Sequence, residues 1–295
     1  MQQTISNDKL KDHRTIQPKR PAPSRTALVT GASSGIGLAT VRLLASQGWT
    51  VYAASRTIDS QMGELFPEPE LRRQIHPVTL DIQDEAACRL VIHRLLESGT
   101  LDALVHCAGA GIAGAIAETS LDEAAWQFDN LLFGTLRVVQ AVLPHFHSQR
   151  AGRIVLVSSV AAMLPIPFQT YYSAAKAAVN AYAFGLADEV RPVGIKVCVI
   201  APGDTRTGFT DARRTAPPHP QSPYRERLAR SVARMAHDEQ HGMHPDQIAR
   251  AIVRQLGRAH PALLVTPGWG YQAITLLARI LPLRLVRSLV RLLYA

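Results

Sequence analysis

A tyrosine and a lysine four residues apart, Tyr172 and Lys176, open an alanine-rich stretch, Tyr171-Tyr172-Ser173-Ala174-Ala175-Lys176. On a helix that spacing places both side chains on one face. An ammonium beside a phenol favours the phenolate, so the pair predicts a tyrosine pKa moved from about 10 toward neutrality. Such a tyrosine can give a proton to a carbonyl oxygen during reduction or take one from an alcohol during oxidation. Ser158 and Ser159 follow an apolar run, Ile154 to Val157, and Ser159 lies thirteen residues ahead of Tyr172. A hydroxyl at the end of a strand is placed to hold the reacting oxygen against the tyrosine, although a Ser-Ser pair equally suits a strand-to-loop cap. A Tyr-x-x-x-Lys spacing is common by chance; its weight comes from what precedes it.

What precedes it is a glycine-rich turn, Thr30-Gly31-Ala32-Ser33-Ser34-Gly35-Ile36-Gly37, directly after the apolar run Ala27-Leu28-Val29. Gly31 permits a sharp turn, Gly35 a close approach of ligand to backbone, and Gly37 tight packing of the helix that follows. The free N–H groups and positive dipole end of that helix suit a pyrophosphate. The second strand ends Ala53-Ala54-Ser55-Arg56. A dinucleotide site that prefers NAD has an acid here for the ribose hydroxyls. Ser55 and Arg56 instead suit a 2′-phosphate, which points to NADP(H) as cofactor.

Together these residues resemble the short-chain dehydrogenase/reductase family over about residues 26–205. The resemblance implies that Thr30 to Gly37 is the cofactor turn, with Gly31, Ser33, Ser34, Gly35, Ile36 and Gly37 in contact. It makes Asp81, followed by Ile82, the adenine-side acid, and Ser159, Tyr172 and Lys176 the catalytic serine, tyrosine and lysine. Pro202-Gly203, with Thr207, matches the segment that holds the nicotinamide carboxamide. The stretch Val157-Ser158-Ser159, Phe133-Gly134-Thr135 and the extended C-terminus are most similar to the 17β-hydroxysteroid-dehydrogenase-like branch, which acts on bulky apolar alcohols and ketones.

Two departures from the family pattern stand out. Where the family has Asn-Asn-Ala-Gly, this chain has His106-Cys107-Ala108-Gly109. Cys107 cannot replace an amide that bonds both neighbouring strands, and His106 reads as a core histidine; Ala108 and Gly109 keep their place beside the cofactor. The family's fourth catalytic residue, an asparagine, would fall at Leu131, and Asn130 stands one residue earlier. One residue turns a helical side chain by roughly 100°. Either the helix shifts locally and Asn130 serves, or the proton relay is altered.

The elements needed to position these residues are visible as period and punctuation. Apolar runs at 27–29, 50–53, 76–80, 103–105, 154–157, 195–200 and, more weakly, 263–265 alternate with amphipathic stretches at 36–47, 83–97, 122–148, 173–190 and 245–257. That alternation predicts an α/β fold: a single Rossmann-type, doubly wound, seven-stranded parallel sheet with helices on both faces over 25–268. Residues 1–24 read as a disordered polar tail. The interval 203–243, with four prolines and a charged helical stretch from Tyr224 to Ala236, reads as a substrate lid. The substrate wall is expected from Ala110 to Ala115, Ala161 to Phe168 and the 205–240 insertion, acting on a small-molecule carbonyl or alcohol that is steroid-, retinoid- or lipid-like.

Charge is distributed unevenly. Residues 26–205 hold twelve Lys/Arg against sixteen acids, and residues 206–295 hold fourteen Arg against five. The acidic centre excludes a nucleic-acid-binding core. The arginines of the insertion, including Arg213 and Arg214, suit either an acidic carrier-linked substrate or a solvated helix face. Residues 269–295 read as a basic amphipathic C-terminal helical extension: after Pro282, Arg284, Arg287 and Arg291 share one helical side and Leu285, Leu289, Leu292 and Leu293 lie opposite. It suits peripheral contact with an anionic membrane, a cover for the substrate mouth, or another subunit. Three scattered cysteines and no metal-ligand spacing imply a reducing cytoplasm and no metal. The resemblance further implies a homodimer or homotetramer through the helices at 122–148 and 173–190. Other functions open to these residues are a carrier-linked 3-ketoacyl reductase and a non-catalytic NADP-binding sensor.

Overall fold

The apolar runs are short and carry no polar alternation, which is the pattern of strands covered by helices on both sides. The computed structural model describes residues 25–97, 99–216 and 218–294, and the polar tail expected over 1–24 lies outside them. Strands β1 (Thr26–Thr30), β2 (Thr50–Ser55), β3 (Ile75–Thr79), β4 (Ala103–His106), β6 (Gly152–Val157), β7 (Ile195–Ile200) and β9 (Leu264–Val265) form one sheet in the order β3-β2-β1-β4-β6-β7-β9. Every neighbouring pair in it is parallel. Two further strands of two residues each, β5 (Ile112–Ala113) and β8 (Arg214–Thr215), pair with one another outside it.

Successive residues of the central strands serve opposite layers. Ala27, Val29, Val105 and Val155 meet Val41 and Leu44 of α1 (Gly35–Ser46) and Ile248, Ile252 and Leu256 of α10 (Pro245–Gly257). Leu28, Leu104, Ile154 and Leu156 meet α4 (Glu85–Glu97), α6 (Gly134–Ser148) and α7 (Thr170–Val190) through Ile92, Val138, Phe146 and Val179. Short helices α2 (Ile58–Leu65) and α3 (Pro69–Arg72) connect β2 to β3. The chain leaves β1 for β2 on one side and later returns as β4 on the other. The crevice beyond the C-terminal ends of β1 and β4 is therefore the topological switch point, where sheets of this kind bind ligands.

The stretch 122–148 is not one α-helix. It divides into α5 (Leu121–Phe128), a π-helical turn over Asp129–Phe133, and α6. A capping box starts α5: the Ser120 hydroxyl accepts from Glu123 N at 3.2 Å, and the Glu123 carboxylate accepts from Ser120 N at 3.0 Å. The insertion after β7 folds as α8 (Phe209–Ala212), β8 and the long α9 (Arg225–Gln240). The C-terminal extension is a pair of helices, α11 (Trp269–Ile280) and α12 (Leu283–Tyr294), where the amphipathic pattern had suggested a helix only after Pro282.

Leu104 lies at 0% exposure in the middle of the sheet. Leu104→Ala is expected to lower the unfolding free energy by about 3 kcal/mol, read as a lower urea midpoint with an unchanged slope.

Candidate active site

The glycine turn has the conformation its residues were chosen to reach. Gly31 and Gly35 have φ of +69° and +51°, in the left-handed region that disfavours side chains. A Cβ on Gly31 would lie 2.8 Å from Ala108 N, and one on Gly37 would lie 2.1 Å from Gly31 O. The turn thus wraps against the end of β4 and leaves no room for side chains. Helix α1 begins after Ser34 with no side chain capping its first N–H groups. These bare donors, a positive helix end and a glycine cradle fit a dinucleotide pyrophosphate.

Neighbouring strand ends complete the cradle. Ala32 N donates to Ala54 O at 3.1 Å, which sets Ser55 and exposed Arg56 beside the turn. Asp81 follows β3 and accepts from Gln83 N at 3.0 Å, while Ile82 is buried beside it, against Gly134. Thr207 packs on Gly35, where a Cβ would come within 2.9 Å of its side chain, so the Pro202–Thr207 loop covers the turn from the other side.

Ser159, Tyr172 and Lys176 all face one cavity of about 510 Å³. Lys176 is buried, and its Nζ donates to Val157 O at 2.8 Å, tying α7 to the end of β6. Burial lowers the Lys176 pKa to about 8. Nζ sits 5.9 Å from the centre of the Tyr172 ring. The expected fall of the tyrosine pKa is not found: burial pushes the Tyr172 phenol up to about 12, and the nearby Ser159 hydroxyl opposes this only in part. The reason is desolvation: the ring and hydroxyl of Tyr172 are buried, which disfavours the phenolate and leaves the phenol protonated at neutral pH. The Ser159 hydroxyl also accepts from Ala161 N at 3.1 Å, so the cap and the site share one side chain.

The π-helical turn decides the place of Asn130. Within it Leu131 is buried and the Asn130 Oδ1 accepts from Ala110 N at 2.7 Å. Asn130 Oδ1 and Lys176 Nζ both lie within 4.0 Å of the point where a Cβ on Gly109 would sit. Asn130 itself is not among the residues that line the cavity. His106 is the core residue expected: it is buried, its Nδ1 lies 2.8 Å from Thr30 Oγ1, and burial lowers its pKa to about 3. The same threonine oxygen accepts from Ala108 N at 3.3 Å, so Thr30 and His106 join β1 to β4 where the family has an amide. Cys107 lines the cavity instead, its thiol pushed up to about 12 by burial.

The cavity wall differs from expectation in two respects. Ala110 to Ala115 do not line it; Ile112 and Ala113 are consumed in pairing with β8. None of the insertion's arginines lines it either. Arg213 is buried in an ion pair with Glu239, and Arg214 stacks over Trp126 at 3.9 Å. From the expected segments, Ala161, Leu164, Ile166, Phe209 and Met235 do line the cavity, and the Phe209 ring stands 5.5 Å from that of Tyr172.

The far wall was not foreseen in detail. It is the inner side of α11 and α12, carrying Leu277, Leu281, Val286 and Val290. Tyr271 locks that wall to the cofactor loop: its ring occupies the space a Cβ on Gly203 would need, and its hydroxyl donates to Asp204 Oδ2 at 2.7 Å. Asp204 and Glu239 bring two carboxyls, both raised by burial, to the cavity, Glu239 already paired with Arg213. Only amphipathicity over 283–294 hinted at this wall in the sequence; Asp204, Glu239 and Tyr271 had no local signal.

The family model for short chain dehydrogenases matches residues 25–218. The chain is 35% identical over 236 residues to a 3-ketodihydrosphingosine reductase of Bacteroides thetaiotaomicron, covering 79% of this chain and 84% of that protein. It is 30% identical over 258 residues to retinol dehydrogenase 8 of Bos taurus, covering 81% and 80% respectively. The structure superposes with a TM-score of 0.75 on a short chain dehydrogenase/reductase from Burkholderia phymatum in complex with NAD, at 25% identity over 87% of this chain and 92% of that one.

A histidine held near pKa 3 when folded, against 6.5 ordinarily, contributes stability present above pH 6.5 and lost as pH falls toward 3. The unfolded chain takes up that proton first, at a cost approaching about 1.4 kcal/mol per pH unit. His106→Gln is expected to remove this part of the acid dependence. Urea unfolding of both proteins at several pH values between 6.5 and 4.5 checks it; parallel curves would assign the dependence elsewhere.

Proposed function

The chain belongs to the short-chain dehydrogenase family, oxidoreductases acting on CH–OH groups, and from that premise we propose an NADPH-dependent reductase of long-chain, lipid-like ketones. The observation that carries the reading is the convergence of Ser159, Tyr172 and Lys176 on one cavity beside the glycine turn, where a buried, protonated phenol suits proton donation to a carbonyl oxygen. The glycine cradle from Gly31 to Gly37 would hold the pyrophosphate, Asp81 and Ile82 the adenine, Ala108 and Gly109 the path between the riboses, and Pro202, Gly203 and Thr207 the nicotinamide. Ser55 and Arg56 would hold the 2′-phosphate. The nicotinamide, when bound, supplies a hydride to the carbonyl carbon.

The remaining work falls to the chain. Ser159 holds the carbonyl oxygen beside the Tyr172 hydroxyl. As the carbon–oxygen π pair moves onto oxygen, Tyr172 transfers its proton there and the alcohol forms. Lys176, fixed by Val157 O, places its ammonium where it balances the phenolate left behind. Asn130 lines the route by which the tyrosine regains a proton. The apolar cavity favours an alkyl chain, and Asp204 with Glu239 favours a head carrying hydroxyl or amine donors beside the ketone. The 35% identical relative named for a keto-sphingoid substrate agrees with that class. No insertion arginine lines the cavity, so the carrier-linked reading gains no support from it. A homodimer or homotetramer through α6 and α7 and a cytoplasmic setting complete the proposal.

Tyr172→Phe is expected to reduce kcat by about a thousandfold while NADPH binding, read by energy transfer from tryptophan, is retained; turnover at the original rate would remove the tyrosine from its role. The unaltered protein should use NADPH over NADH by about tenfold or more in kcat/KM, and Arg56→Glu should erase that preference. Equal use of the two cofactors before substitution would refute the 2′-phosphate site.

Along a series of 3-ketones, kcat/KM should rise about threefold per added methylene until the cavity is filled. A flat series would rule out an alkyl chain in the cavity. Asp204→Asn should slow a 2-amino-3-ketone more than the plain ketone of equal length.

A further inference from the structure

The two C-terminal helices carry apolar surface in two directions. Inwards, Val286 and Val290 are buried and close the cavity. Outwards, Ile280, Leu283 and Leu292 are 71%, 73% and 83% exposed. Of the fifteen large apolar side chains exposed among the described residues, ten fall between Trp269 and Leu293. The two surfaces meet at the mouth of the cavity. There Leu277 of α11 and Leu289 and Leu293 of α12 line the cavity and are each about half exposed. Such a concentration of exposed apolar surface marks an interaction site.

The hairpin's own charges are of one sign, and an acid that touches it, Asp238 of α9, accepts from the Tyr294 hydroxyl at 3.2 Å. Residues 247–295 contain seven arginines and no acid. On the hairpin, Arg279, Arg284 and Arg291 are exposed, while Arg287 is tied to Pro165 O at 2.6 Å and steadies α12 against the loop after β6. A second copy of this chain fits such a face poorly: a twofold interface sets a patch against itself, and this patch would bring arginine toward arginine with no acid of its own in reply. An anionic bilayer surface supplies both the apolar depth and the opposite charge. No helix among the described residues is long and apolar enough to cross a membrane, so the contact would lie in the plane of the interface.

We infer that the α11–α12 hairpin is an anionic-membrane docking surface, and that the cavity mouth opens onto the lipid so that a ketone can pass from bilayer to Tyr172 without crossing water. The inference rests on the proposed reaction only for what enters the mouth; the docking itself stands on exposure and charge.

Cosedimentation of the full chain with phosphatidylcholine vesicles, with and without phosphatidylglycerol, tests it. The chain is expected to pellet with the anionic vesicles and to be released by salt. Ile280→Ser/Leu283→Ser and, separately, Arg284→Gln/Arg291→Gln should each weaken the vesicle partition by about tenfold or more. None of these four residues lines the cavity, so turnover of a water-soluble ketone should stay within about twofold, which excludes misfolding as the cause. The inference fails if the unaltered chain remains in the supernatant with anionic vesicles, or if both variants partition as it does. It also fails if light scattering shows an assembly that Ile280→Ser/Leu283→Ser dissociates, because the face then belongs to a second copy. Vesicle binding without ketone turnover would count against the proposed reaction and leave the docking surface standing.

Discussion

The contact on which the site depends is the hydrogen bond from the Lys176 ammonium to the carbonyl of Val157. It joins the first turns of α7 to the last residue of β6, and it does so in a buried setting where a cation needs a partner. The bond fixes the pitch of α7 over the crevice, and with it the depth of Tyr172. The phenol four residues earlier keeps its proton because burial disfavours the phenolate. Burial moves the two groups in opposite directions, the lysine to about 8 and the tyrosine to about 12. A buried neutral acid beside a positioned serine is an arrangement suited to protonating a carbonyl oxygen.

Around that contact, the backbone carries most of the recognition. Gly31, Gly35 and Gly37 are needed because Ala108, Thr207 and the turn itself occupy the space of a side chain. The unusual His106-Cys107 pair leaves this frame intact. A threonine hydroxyl shared between His106 and Ala108 N bridges the two strands, at the expense of a histidine held neutral in the core. The π-helical turn over Asp129–Phe133 interrupts the helix at a second irregularity, where Asn130 accepts from the backbone of Ala110.

The cavity joins two chemistries that lie far apart along the chain. Its floor is the sheet edge with the reacting groups. Its outer wall is a helical hairpin held to the floor by Tyr271, which packs into the space over Gly203 and hydrogen-bonds Asp204. One tyrosine therefore touches both the hairpin and the loop after β7. An apolar wall that is wet on its far side gives the cavity a character that a sealed core would not have.

Much of this was readable in the residues themselves. The buried runs, the glycine turn and the Tyr172–Lys176 spacing rest on local rules, namely strand burial, left-handed backbone and helical periodicity, and each holds wherever the segment is placed. Even the misfit at Asn130 was visible as a choice between two outcomes. The tertiary structure alone decided what depends on neighbours distant in sequence. It set which way the tyrosine pKa moved, since that turned on how deeply the phenol is buried. It drew Ile112 and Ala113 into pairing with Arg214 and Thr215, about a hundred positions later, and left Ala110 to Ala115 out of the cavity lining. It brought Asp204, Glu239 and Tyr271 to one cavity, though no pattern in the chain links them. Local interactions are encoded in short stretches, whereas burial, dielectric and partnership belong to the assembled fold.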